Sequence, residues 1–141
     1  MSDPLYGTAL LRLAAEATGA GRLSHFDAEG SAYNPACGDR ISVTISTDAD
    51  SRILALAHEA HACVLTQASA SILGAQAIGA DRARLSMLRD EVIAMLRDDG
   101  TVASPFSDYA ALKPAAMYRN RHSCVLLPID AVLKALEQRK E

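Results

Sequence analysis

The sequence predicts an α+β domain in which helices pack closely on a small antiparallel sheet. Half of its 141 residues are hydrophobic but only 4% are aromatic, and tryptophan is absent, so the core must be built from Ala, Leu, Ile and Val. Side chains that small let helices approach a sheet closely. Short alternating segments occupy the middle of the chain, and segments of helical spacing flank them. The length fits one domain spanning residues 1–141.

Taken in order, the stretch from Pro4 to about Thr18 places Leu5, Leu10, Leu11, Leu13 and Ala14 at near-helical spacing, with Gly19 and Gly21 beyond its end. Arg22 to Tyr33 is more polar, and an edge strand is expected near Ser31 to Asn34. From Arg40 to Thr47, Ile41, Val43 and Ile45 alternate with Ser42, Thr44 and Ser46, the pattern of a half-buried strand. A turn over Asp48-Ala49-Asp50-Ser51 leads into a further strand-like segment, Arg52 to Glu59. The economical solution is a meander of two or three antiparallel strands.

Beyond this point the period changes. Cys63 to Gly79 has helical spacing through Val64, Ala68, Ile72 and Ala75, with Ser69 and Ser71 among its small packing residues. A second helix runs from Asp81 to about Asp98 and is closed by Asp98-Asp99-Gly100. Thr101 to Tyr118 contains Pro105 and Pro114 and is expected to be a loop with a helical turn around Tyr109 to Leu112. The last helix, roughly Asn120 to Arg139, carries Val125, Ile129, Val132, Leu133 and Leu136 on one stripe. Pro128 interrupts it early; having no N–H, and crowding the carbonyl of Cys124, it predicts a bend or a first turn there.

Fourteen basic against seventeen acidic residues give a formal charge of −3 with the signs interleaved. No basic run is present to neutralise a series of phosphates, so nucleic acid is not expected as a partner. The N-terminus lacks the pattern of a secretory signal, and no apolar run reaches the roughly 18 to 20 residues that span a bilayer. A cytoplasmic protein with no membrane partner is expected. Its three cysteines cannot all pair in disulfides, and a reducing compartment opposes pairing. Metal binding or thiol chemistry is their leading use, against the simpler reading of small buried hydrophobes.

The cysteines fall at three element boundaries. Cys37 lies in the stretch Asn34-Pro35-Ala36-Cys37-Gly38-Asp39-Arg40, which sets a thiol and a carboxylate two residues apart across a glycine. Cys63 marks a change from strand to helix, and Cys124 lies near the start of the last helix. Partial positive charge at a helix N-terminus stabilises a thiolate. With Asp39 as an oxygen donor, the four side chains make a set suited to zinc or to an iron–sulfur cluster with one non-cysteine ligand. No pair is a CxxC, so the spacing alone is a weak signal. His61 and His122 are secondary candidate ligands. His58 and His61, three apart in a strand, face opposite sides and reach one metal only if the strand ends between them.

Three segments, AYNPACGDRI, the ASAS after Cys63, and RHSCVLLPIDAVLKAL, together resemble the cysteine motifs of the IscU, SufU and NifU N-terminal family of iron–sulfur cluster assembly proteins. The resemblance extends over most of the chain from Tyr33 onward. It implies a three-stranded antiparallel sheet with helices on one face, and a site at its tip matching Cys37, Asp39, Cys63 and Cys124. About sixty residues separate Cys63 from Cys124, which is closest to the SufU branch.

What the family implies is a scaffold, not itself an enzyme, that accepts sulfur from a cysteine desulfurase. Cys37 and Cys124 are the candidate persulfide acceptors, and iron or a labile 2Fe-2S cluster is assembled and passed to apo-proteins or carriers. The SufU branch implies the alternative of a zinc-bound persulfide acceptor with sulfurtransferase activity. A third reading is a non-catalytic zinc-stabilised binding module. The LPPVK motif is missing, the matching region reading Met117-Tyr118-Arg119-Asn120-Arg121, so a chaperone that docks through it is not expected. Ala62 stands where the family has Gly, which predicts a cost if the backbone there takes positive φ.

Overall fold

The computed structural model describes residues 7–36 and 38–138. Pro4, Leu5, Cys37 and Arg139, which enter the expectations above, lie outside the described residues. A first helix, α1 (Thr8–Glu16), is followed by strands β1 (Ala28–Asn34), β2 (Asp39–Thr47) and β3 (Ile53–His61). Helices α2 (Val64–Gln76), α3 (Arg82–Asp98) and α4 (His122–Gln138) complete the chain, with 3-10 segments at Ser107–Met117 and Arg119–Arg121 before α4. The strands form one antiparallel sheet in the order β1-β2-β3.

Alternation along the strands decides which face meets the helices. Gly30, Val43 and His58 lie opposite one another in register, as do Ala32, Ile41 and Ala60, and these rows face inward. The neighbouring row of Tyr33, Arg40 and His61 is exposed on the other face. Helix α4 crosses β1 closely enough that a Cβ on Gly30 would lie 2.2 Å from the Ala131 carbonyl oxygen. Only glycine allows that approach. Helix α2 packs on β3, α1 and α4, and its residues from Leu65 to Leu73 are all buried except Gln67. Its Ala- and Ser-rich sequence makes burial on several sides possible.

The observed elements match the α+β expectation and differ from it in three places. Strand β1 begins at Ala28, longer than the edge strand expected at Ser31 to Asn34. Helix α1 ends at Glu16 with Ala17 in the left-handed region, because Thr18 and Gly19 turn away to bond elsewhere. The Thr18 N–H donates to Ser71 Oγ at 3.1 Å, the Thr18 carbonyl accepts from His58 Nε2 at 2.8 Å, and Gly19 accepts from the His58 N–H at 2.8 Å.

The third difference is the segment expected to be a loop. Phe106, Tyr109, Leu112 and Ala115 recur every third residue and each is at most 1% exposed. A 3-10 helix has three residues per turn, so this spacing buries one face of Ser107–Met117. Among the described residues no helix is long and apolar enough to cross a membrane.

Candidate functional site

Strand β2 starts the site. Asp39 shares the parity of Ile41, Val43 and Ile45, so it continues their inward face at the first position of the strand and is 5% exposed. The turn before it needs Gly38, whose φ of 77° lies in the left-handed region, and the Gly38 N–H donates to the Asn34 carbonyl at 2.8 Å. Asn34 ties this turn to α4: its Oδ1 accepts from the Ala36 N–H at 3.0 Å, and its Nδ2 donates to Ser123 Oγ at 2.7 Å.

Strand β3 runs out at His61, and Cys63 is the N-cap of α2. The expected strand-to-helix junction is therefore present. Ala62 is not among the described residues with positive φ, so the missing family glycine imposes no left-handed strain. Cys63 makes no side-chain cap bond; instead Asp39 reaches across from β2, its Oδ1 accepting from the Cys63 N–H at 3.1 Å. A carboxylate at this position satisfies one of the exposed N–H groups at the start of the helix.

Cys124 lies in the first turn of α4 and is 1% exposed. Pro128, four residues on, has no N–H to donate to the Cys124 carbonyl. Helix α2 supplies a donor in its place: Thr66 Oγ1 lies 2.9 Å from that carbonyl oxygen. One turn along, Ser69 Oγ donates to the Val125 carbonyl at 2.8 Å and lies 2.7 Å from the Tyr109 hydroxyl. The serines expected as small packing residues are buried as such, and their hydroxyls also clamp α2 to its neighbours.

One ligand atom from each of Asp39, Cys63 and Cys124 lies within 4.8 Å of the other two, the one such group among the described residues. Of the four expected ligands, three are thus brought together, and Cys37 lies outside the described residues. The Cys124 thiol donates to Cys63 and, as the largest influence, holds the Cys63 thiol down at about 6, against the opposing effect of burial. Hydrogen bonds from Thr66 act in the same direction. The Asp39 carboxylate opposes them, and the net lowering favours the thiolate of half-buried Cys63, the form that binds a cation.

The secondary candidates fall elsewhere. His61 is exposed on the helix-free face of the sheet, opposite Arg40. His58 faces the other way, as expected from their spacing, and its ring is tied to Thr18. His122 begins α4 and donates from Nε2 to the Ala116 carbonyl at 3.1 Å. Neither His61 nor His122 belongs to the three-residue group. Thr66 and Asn34 carry interactions at the site that motif reading did not assign; the one signal for Thr66 is its place one helical turn after Cys63.

Residues 5–125 match the family described as the NifU-like N terminal domain. The crystal structure of a nitrogen-fixing NifU-like protein (N-terminal) from Brucella abortus is 31% identical, with a TM-score of 0.90, covering 98% of this chain and 96% of that one. A protein from the thermophile Fervidobacterium islandicum AW-1, described as an iron–sulfur cluster assembly scaffold for the SUF system, shares the fold. It is 20% identical, with a TM-score of 0.82 and coverage of 96% and 99%. A hypothetical protein solved at 2.3 Å also shares it, at 24% identity, a TM-score of 0.75 and coverage of 91% and 96%. No curated protein matches the chain.

Proposed function

The chain belongs to the NifU-like N-terminal domain family, and from that premise we propose that it is an iron–sulfur cluster assembly scaffold working in the cytoplasm. The observation that carries the reading is the convergence of Asp39, Cys63 and Cys124 within 4.8 Å. Two sulfurs and a carboxylate oxygen form an incomplete tetrahedral donor set, and Cys37, two residues before Asp39, is proposed as the fourth ligand. These residues would hold iron or a 2Fe-2S cluster as cargo. Three thiolates fix the iron, and the single oxygen donor leaves one position exchangeable for transfer to an apo-protein or carrier.

Sulfur would arrive from a cysteine desulfurase as a persulfide. A thiolate of this chain attacks the outer sulfur, a new S–S bond forms, and the donor leaves as its own thiolate, with no net change of oxidation state. Of the two candidate acceptors, Cys124 is buried, so Cys37 is the first to test.

A second reading is favoured by the long interval between Cys63 and Cys124, which builds α2, α3 and two 3-10 segments and is closest to the SufU branch. Here the same residues hold zinc, and the protein passes on persulfide sulfur. Protein purified without oxygen and analysed for metal, sulfide and visible absorption separates the two. Iron with matching sulfide and colour supports the scaffold; one zinc without colour supports the second reading. Neither metal, with Cys37, Cys63 and Cys124 all dispensable for binding, overturns both.

A further inference from the structure

We propose that Thr66 is the positioning residue of this site, a single hydroxyl that sets Asp39 and Cys124 relative to Cys63. Thr66 is 0% exposed. Its Oγ1 lies 3.0 Å from Asp39 Oδ2, 2.9 Å from the Cys124 carbonyl oxygen and 3.7 Å from Cys63 Sγ. One side chain thus touches all three of the candidate ligands that converge.

The chemistry of these contacts explains why a hydroxyl is placed there. Asp39 holds both of its oxygens on α2: Oδ1 on the Cys63 N–H and Oδ2 on Thr66. Those two bonds fix the plane of the carboxylate, which one bond would leave free to rotate. On the other side, Pro128 takes away the N–H that an ordinary helix would offer the Cys124 carbonyl, and Thr66 provides a donor from outside the helix. Thr66 has one proton for these two oxygen acceptors. The carboxylate and the first turn of α4 are therefore linked through it.

Ser69 provides an internal contrast. It sits one turn further along α2, and its hydroxyl bonds the next carbonyl of α4, that of Val125, and the Tyr109 hydroxyl, not Asp39, Cys63 or Cys124. A purely structural role for hydroxyls between α2 and α4 would make the two positions equivalent. A positioning role makes them different.

The inference rests on the metal-binding reading, and its test distinguishes the two. Full-length protein, reduced and stripped of metal, is titrated with cobalt(II), following thiolate-to-metal and d–d absorption, with zinc as competitor. Thr66→Val is expected to bind about 10–100-fold more weakly, the usual cost of removing a group that orients a ligand, and with a shifted d–d spectrum. Thr66→Ser is expected to restore both, and Ser69→Ala to lower thermal stability with wild-type affinity and spectrum.

Wild-type affinity and spectrum in folded Thr66→Val would overturn the inference and leave the metal-binding reading standing. Equal weakening by Ser69→Ala would also overturn it, as would no restoration by Thr66→Ser. Failure of the wild-type protein to bind either metal would overturn both. Should Thr66→Val not fold, Thr66→Ala, which removes the hydroxyl without placing a methyl against the carboxylate, is held to the same outcomes.

Discussion

Two buried titratable side chains face α2 from the sheet, Asp39 near its N-terminal end and His58 further along, and they use hydrogen bonding in opposite ways. His58 closes a clasp. Its ring donates to the Thr18 carbonyl, its backbone exchanges bonds with Gly19 and Gly21, and Thr18 in turn reaches Ser71 on α2. Burial lowers the ring's affinity for a proton and so favours its neutral form. Around Asp39 the Thr66 hydroxyl is shared between the carboxylate and the Cys124 carbonyl, and the sulfurs of Cys63 and Cys124 stand beside them. The clasp joins backbone and ring groups that hold α1's exit to the sheet, whereas the tip gathers a carboxylate and two sulfurs within 4.8 Å of one another, the donor set on which the proposed function rests.

The largest test of this contrast is Asp39→Ala. It removes a candidate ligand and the acceptor that caps α2 through the Cys63 N–H. Metal affinity is expected to fall by more than the roughly 100-fold typical of a residue that only orients a ligand. Stability of the metal-free protein should fall by about 1–2 kcal/mol from the lost cap. Metal titration and urea unfolding check the two effects separately. Unchanged affinity would remove Asp39 from the ligand set and leave it a structural residue like His58.

The converse is His58→Leu. With the ring gone, the Thr18 carbonyl loses its donor in a half-buried setting, at a cost of about 1–3 kcal/mol. Metal affinity is expected to stay at the wild-type value. Urea unfolding reads the first, cobalt titration the second. A loss of affinity matching the loss of stability would show that the clasp and the tip are not separable.

The uneven legibility of the sequence follows the same division. Strand β2 from Arg40 onward and the placing of Cys63 and Cys124 at helix starts follow from period, proline and cysteine position, each a local signal, whereas Asp39, read as part of the turn, proves to be the first residue of the strand. The clasp and the Thr66 contacts join residues 40 and 58 positions apart, which no local pattern encodes. The 3-10 segment was a different kind of failure. Its spacing of three, from Phe106 to Ala115, is written in the sequence, but Pro105 and Pro114 pointed to a loop because they are poor in an α-helix interior. Pro114 falls within the 3-10 segment, and Pro105 lies before its start.

The smallest effect is in pH dependence, where Cys63 and His58 titrate in different windows. Cys63 is held at about 6 against an ordinary 9.0. A depressed acidic group contributes its full stabilisation above its unfolded value and loses it as pH falls through the folded one, so for the metal-free protein this contribution declines from about pH 9 towards 6. His58 is a base whose value is lowered below 6.5, so the unfolded chain takes up a proton first and stability drops further as pH falls below that point. Alkylation of metal-free protein, read peptide by peptide by mass spectrometry, isolates the thiol. The rate at Cys63 is expected to be level above pH 7 and to fall about tenfold per unit below 6, as expected for a thiolate. A rate still climbing towards pH 9 would mean that Cys124 does not hold Cys63 as a thiolate. Cys63→Ser should flatten the stability profile between pH 9 and 6 and leave the decline below 6.5, which belongs to His58, in place.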